Sequence, residues 1–313
     1  FMTFVWNIEI IVWWVRRKSQ IKQIETKKRN TRYLPNCILN TDKINLTSNL
    51  DYALDSSDLI IVATPSEFLS DLFNNRADKL KSKIIISAVK GVIADHNLTP
   101  YQYFYNLNPE INYGVISGPC HAEEVAMNKK SYLTFSSNNN NISEFLSKIF
   151  STKEINIKSS NDVVGAELSA ILKNVYALIT GICFGLGYGD NFLAVLITAS
   201  TNELKRVLFN LDNKERSISQ SAYLGDLLVT CYSLHSRNRR FGTYIGKGYS
   251  VESTKSVMNM VAEGYNATNC IYDLLKEKGF ISGAPIIKST YNILYNDSEP
   301  KTEIEELSCI ISW

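Results

Sequence analysis

The chain has 313 residues, 45% of them hydrophobic and 20% charged, with a formal net charge of +2. That composition excludes disordered and fibrous classes and leaves room for two domains, each with its own core. So small a charge gives no argument for a nucleic-acid partner. The basic run Arg16, Arg17, Lys18, Lys22, Lys27, Lys28, Arg29 and Arg32, opposed only by Glu25, reads as a solvated helix face.

Phe1 to Val15 is apolar but too short to span a bilayer, carries Glu9, and has its basic residues after the apolar stretch, where an export signal has them before it. No membrane span is expected. Ile8 to Val15 (IEIIVWWV), rich in branched and aromatic residues, reads as a buried strand. From there to about residue 158 helices and strands alternate. The helices are Ser19 to Arg29, Glu67 to Lys79, near Thr99 to Leu107, Ala122 to Met127 and Ile142 to Phe150. The strands between them are Leu59 to Ala63, Lys83 to Ala88, Tyr113 to Ser117, near Tyr132 to Ser136, and Glu154 to Lys158. Alternation of this kind implies a mainly parallel sheet covered on both faces, with ligands gathering at the carboxyl ends of its strands. The tract Ser136 to Asn141 (SSNNNN) reads as a surface turn. Beyond Ser160 the strand signal stops and glycine-punctuated helices follow. The expected fold is therefore α/β followed by all-α, with domains at 1–159 and 160–313.

The six cysteines, Cys37, Cys120, Cys183, Cys231, Cys270 and Cys309, include no C-x-x-C pair and read as the reduced thiols of a cytoplasmic protein. None of His96, His121 and His235 stands at metal-ligand spacing from a cysteine, so no metal is expected.

The helical half opens on DVVGAELSAILKNVYALITGIC, Asp162 to Cys183, which is apolar nearly all round and so belongs inside a core. Lys173 lies in it. A buried ammonium costs several kcal/mol or loses proton affinity, and a lysine tuned towards about 7 to 8 both donates and accepts a proton. The alternative is a lysine that snorkels to water. Glu167 is on another side of the helix, so an anionic partner must come from elsewhere. Asp226, in LGDLLVT, is the best candidate, and equally suits a helix N-terminus. In SRNRRFG, Ser236 suits an N-cap, with Arg237 and Asn238 in the first turn. Free N–H groups plus a guanidinium form a phosphate site, unless the segment is only a basic surface turn. Lys90–Gly91 and Gly118–Ala122 follow predicted strands and face the ligand side of the sheet or serve as plain turns.

In order along the chain, WWVRR, YLP at Tyr33 to Pro35, ATPS at Ala63 to Ser66, AVKG at Ala88 to Gly91, SGPCHAEEVA at Ser117 to Ala126, ELSAILKNVYA, GYGDN, LGDLLVTC, SRNRRFG and VAEGYNAT at Val261 to Thr268 together resemble bacterial NAD(P)-dependent glycerol-3-phosphate dehydrogenase. The resemblance implies a Rossmann-like cofactor domain, a helical substrate domain, NAD or NADP as cofactor, and reversible reduction of dihydroxyacetone phosphate to sn-glycerol 3-phosphate. It makes Lys173 the general acid/base and Asp226 its support. Substrate contacts fall on Lys90, Gly118, Cys120, Ser236, Arg237 and Asn238. Cofactor contacts fall on Arg16, Lys90, Ala122, Arg237, Val261 and Glu263. It further implies a role in glycerophospholipid and carbohydrate metabolism, and it is compatible with a homodimer.

Three departures from the family pattern stand out. No strand and glycine-rich turn precede Ile8, so the Rossmann-like domain reads as N-terminally truncated, its first βα unit missing. Cys120 and His121 replace a hydroxyl and an apolar ring. Ala199 and Tyr223 replace an arginine and a glycine. The first departure motivates a rival reading, a non-catalytic, cofactor-deficient remnant that still binds phosphate.

Overall fold

The structure, a computed structural model, describes residues 10–258 and 262–311. Its chain divides into two compact units that are discontinuous in sequence. One holds the chain up to Ala63, Leu72–Ala88 and Phe104–Val163; the other holds Thr64–Asp71, Val89–Tyr103 and the chain from Val164 onward.

In the first unit, β1 (Ile11–Trp14) leads into α1 (Lys18–Lys27), β2 (Ile44–Thr47) and α2 (Leu50–Asp55). β1 and β2 pair in parallel, and Val15 N–H extends the ladder by donating to Thr47 O at 2.8 Å. α1 closes this small sheet by burying Ile24 against Val15, Cys37 and Leu39. The strand expected over Ile8 to Val15 is thus shorter among the described residues; Ile8 and Glu9 lie outside them. Neither β2 nor α2 was expected, because four residues of INLT are too few for a clear alternation. α2 is announced only by its cap, where Asn49 Oδ1 accepts the Tyr52 N–H at 3.1 Å.

A second sheet has the order β3 (Leu59–Val62), β4 (Ile84–Ser87), β5 (Asn112–Ser117), β6 (Ser131–Ser137), β7 (Ile155–Ser160). All its pairs are parallel except β5 with β6. The intervening helices are α3 (Leu69–Phe73), α4 (Pro100–Leu107), α5 (Ala122–Ala126) and α6 (Asn140–Phe150). α6 packs Ile142, Leu146 and Phe150 onto Ile86, Ile116, Leu133 and Phe135 of the sheet. Two expectations are corrected here. Ser136 and Ser137 are buried at the end of β6, and Asn139 caps α6 by accepting from Asn141 N–H at 3.1 Å, so SSNNNN is a strand end and a helix start. Glu67 to Lys79 is also not one helix. It breaks at Asn74 and Asn75 into α3 and a 3₁₀ turn at Ala77–Leu80, as poor helix formers at mid-segment would cause.

The second unit is built around α7 (Val163–Gly185), followed by α8 (Asp190–Asp212), α9 (Asp226–Tyr232), α10 (Arg237–Gly246), α11 (Val251–Val257), α12 (Glu263–Glu277), α13 (Pro285–Tyr295) and α14 (Pro300–Ile310). Among the described residues α7 is the one helix long and apolar enough to cross a membrane, and it is the buried centre of this core. Leu172, Val175, Tyr176, Leu178, Ile179 and Ile182 are all wholly inside. α10 crosses α7 at backbone contact. A Cβ on Gly242 would collide with Leu178 O, one on Gly246 with Ile182 O, and one on Gly181 with Arg239 O. Small-residue spacing on both helices is what permits that approach, and it docks the start of α10 beside α7.

Candidate active site

Within α7 several buried polar groups need partners, and Glu167, Lys173 and Asn174 find them in other segments of the same unit. Glu167 is 1% exposed and accepts the Tyr101 N–H at 2.9 Å, satisfying a donor in the first turn of α4. Two turns on, the Lys173 ammonium is bonded to Asp226 Oδ1. The two side chains are 5% and 2% exposed, so Lys173 does not snorkel to water. Asp226 opens α9 directly after a π-helical turn, Ser221–Gly225, and so is both a first-turn residue and the partner of Lys173. A second ammonium, that of Lys90, stands 3.5 Å from Asp226 Oδ2, its side chain 30% exposed.

One carboxylate therefore faces two lysines, one sealed and one open to solvent. Burial holds the pKa of Lys173 down at about 7; Asp226 pulls it upward and the Lys90 charge pushes it further down. That brings Lys173 into the range in which a lysine both donates and accepts a proton at neutral pH.

The segment expected to bind an anion begins one helix further along. Ser236 is the N-cap of α10, its Oγ accepting from Arg239 N–H at 3.3 Å. Arg237 is exposed at the first helical position, and Asn238 is buried, with Oδ1 accepting the Gly264 N–H at 2.9 Å. Glu263, first residue of α12, is bonded to Ser66 through both backbone N–H (3.2 Å) and Oγ (2.6 Å). It fills the space a Cβ on Gly91 would need. Burial raises its pKa; the Ser66 bonds oppose that, and so, more weakly, does Arg237. Val261 lies outside the described residues.

Arg16, Gly118, Cys120 and Ala122 belong to the first unit. Gly118 follows β5 with φ +107°, and a Cβ there would stand 2.7 Å from Tyr132 O, so glycine is required. Cys120 is half-buried against the core of the larger sheet, and Ala122 opens α5. Arg16 is exposed between β1 and α1. With Arg17 and Lys18 it crowds cationic groups at the positive end of a ten-residue helix that has no acid in its first turn. Of the departures from the family pattern, Ala199 and Tyr223 are absorbed in the core of the second unit.

Three participants were missed in the sequence. Asn174 donates from Nδ2 to Lys90 O at 2.7 Å. Ser66 holds Glu263, and Gly264 lies against Asn174 O. A second polar residue next to Lys173 in an apolar helix was the available signal for Asn174; Ser66 and Gly264 have none without the fold.

A Rossmann-like sheet unit combined with an all-helical unit carrying a desolvated lysine–aspartate pair defines the architecture of a two-domain nicotinamide-dependent dehydrogenase. Comparison with known proteins narrows that class. Residues 3–143 match the NAD-dependent glycerol-3-phosphate dehydrogenase N-terminus, and residues 162–305 match the C-terminus of the same family. The chain belongs to the NAD-dependent glycerol-3-phosphate dehydrogenase family. It is 35% identical over 298 residues to glycerol-3-phosphate dehydrogenase [NAD(P)+] of Bacillus pumilus, covering 94% of this chain and 86% of that one. With the Clostridium tetani protein of the same name it shares 34% over 303 residues, 96% of this chain and 85% of the other. Among solved structures, glycerol-3-phosphate dehydrogenase of Coxiella burnetii superposes with a TM-score of 0.89 at 26% identity, covering 95% of this chain and 91% of that one.

Proposed function

We propose that this chain catalyses the reversible, NAD(P)-linked reduction of dihydroxyacetone phosphate to sn-glycerol 3-phosphate, with Lys173 as general acid/base. The observation that carries the reading is the buried Lys173–Asp226 pair with Lys90 beside it. The cofactor, when bound, supplies or accepts the hydride at C2 of the substrate. As negative charge grows on the C2 oxygen, the ammonium of Lys173 stabilises it and passes it a proton. In the reverse direction neutral Lys173 takes that proton from the hydroxyl, and a pKa of about 7 serves both directions. Asp226 keeps the Nζ of Lys173 fixed and, by raising its proton affinity, favours its recharging by a proton from water after transfer. Lys90 adds positive charge on the solvent side, where an anionic substrate arrives.

The substrate phosphate is assigned to the start of α10, where Arg237 offers an exposed guanidinium, Ser236 sets the helix start and Asn238 ties that turn to α12. On the sheet unit, Arg16 and Ala122 are assigned to the cofactor and Gly118 and Cys120 to the substrate-side loop; Glu263 and Val261 complete the cofactor set. The 1–159 domain would contribute Arg16, Lys90, Gly118, Cys120 and Ala122, and the 160–313 domain Lys173, Asp226, Ser236, Arg237, Asn238, Val261 and Glu263. A cytoplasmic enzyme of glycerophospholipid metabolism, homodimeric, is consistent with this chemistry. The remnant reading draws no specific support, since both halves of the chain match the family. Following NADH oxidation by the purified chain with dihydroxyacetone phosphate is the test. Turnover is expected; its absence in the presence of measurable NADH binding would overturn the proposal.

A further inference from the structure

The Lys90 ammonium sits at the end of a flexible four-carbon stem that is 30% exposed, on the turn that follows β4, so something must hold it within 3.5 Å of Asp226. The residue that reaches that turn from α7 is Asn174, 5% exposed, whose Nδ2 donates to the Lys90 carbonyl at 2.7 Å across 84 positions of sequence. Asn174 is itself clamped. A Cβ on Gly264 would come within 2.5 Å of Asn174 O, so the backbone at the start of α12 rests directly on this turn of α7. That backbone is tied in turn by Gly264 N–H to Asn238 Oδ1, at 2.9 Å, on α10. The chain of contacts runs from Asn238 through Gly264 and Asn174 to the main chain of Lys90.

Resting on the reading of Lys173 as the acid/base group, we propose that Asn174 is a positioning residue for Lys90. Its amide anchors the Lys90 main chain so that the Lys90 ammonium is held on the Lys173–Asp226 pair. The side-chain type follows from the geometry. The group facing Lys90 O must donate, which excludes aspartate, and must span from the α7 backbone, which excludes serine and alanine. An amide meets both conditions without adding charge beside two lysines and a carboxylate. Because the Lys90 charge opposes protonation of Lys173, loosening Lys90 acts on the proton affinity of Lys173, an effect that ordinary loss of a buried hydrogen bond does not have.

The test compares Asn174→Ala, Lys90→Ala and the double variant in the full chain. The Lys173 Nζ titration is followed by nitrogen NMR of lysine-labelled protein, its signal assigned by its loss in Lys173→Arg. Asn174→Ala is expected to raise the Lys173 midpoint, on the order of half a pH unit, in the same direction as Lys90→Ala. The double variant is expected to match Lys90→Ala alone, because the two act through one path. Should Asn174→Ala fold poorly, Asn174→Ser, too short to reach Lys90 O, is expected to behave in the same way. A midpoint that stays at the wild-type value in a folded variant, or shifts that add in the double variant, would overturn the proposal. Reduction rates measured alongside separate the two claims. A shifted midpoint with unaltered rate upholds the positioning of Lys90 and contradicts the acid/base reading of Lys173.

Discussion

Lys173 Nζ is bonded to Asp226 Oδ1 in a setting where both side chains are almost completely removed from solvent, at 5% and 2% exposure. Each therefore relies on the other, and breaking such a pair from one side leaves an uncompensated buried charge. Replacing Asp226 by asparagine removes the charge that raises the proton affinity of Lys173. Asp226→Asn is expected to move the Lys173 midpoint below about 7 and to lower the reduction rate at neutral pH by roughly 10²-fold or more. A pH–rate series on the variant checks this; a midpoint above the wild type's would contradict it.

The same pair gives stability a definite pH dependence. In the folded chain Lys173 titrates near 7, well below the ordinary lysine value of 10.5, so between those limits the unfolded chain binds more protons and stability rises with pH. The slope from this one group is at most about 1.4 kcal/mol per pH unit. Removing both charges with Lys173→Met and Asp226→Leu is expected to flatten that part of the profile, measured by urea unfolding from pH 7 to 10. An unaltered slope would show that Lys173 is not depressed in the folded state.

Glu203 works with the opposite sign. Its carboxylate is buried and accepts the N–H groups of Ile286 and Ile287, at 2.8 and 3.1 Å, at the start of α13. Burial nevertheless raises its pKa to about 7, so the folded chain binds the extra proton between the ordinary value of 4.5 and 7 and loses stability as pH rises through that window. Glu203→Gln keeps the shape and one acceptor, and is expected to abolish that loss. Unfolding midpoints at pH 5 and 7 for the two proteins provide the comparison.

The crossing of α7 and α10 offers a purely steric prediction. Gly242→Ala pushes a methyl into Leu178 O and is expected to destabilise by about 1 to 3 kcal/mol, and to weaken any binding that depends on Arg237 at the start of α10. Gly248→Ala is the control. With φ +91° and open space around it, it strains only the backbone, costing about 1 kcal/mol, with ligand affinity unaffected. Equal effects of the two on affinity would argue against α10 as the phosphate-binding element.

How much of this was legible before folding depends on the range of the interaction. Lys173 stood out because its helix has no polar stripe, a local pattern that survives into the structure as complete burial. Asp226, 53 residues away, was put forward as its partner from an acid beside a glycine at the start of an apolar run and from the family resemblance. The alternation of strands and helices gave the larger sheet. β2 and α2 escaped because elements of four and six residues carry too little periodicity. SSNNNN misled because polar residues at a strand end and at a helix cap look like a turn in composition. The roles of Asn174, flagged only as a second polar residue in an apolar helix, and of Gly264 escaped for a different reason. Their roles are approaches to backbone atoms, Lys90 O and Asn174 O, and side-chain patterning contains no record of those.

The central claim is that Lys173 moves the proton, and the most direct measurement is steady-state reduction of dihydroxyacetone phosphate by Lys173→Ala, paired with NADH binding by the same protein. The account predicts a loss of turnover of about 10²- to 10⁴-fold with NADH affinity unchanged. A variant that binds NADH and reduces the substrate at close to the wild-type rate would remove Lys173 from the mechanism.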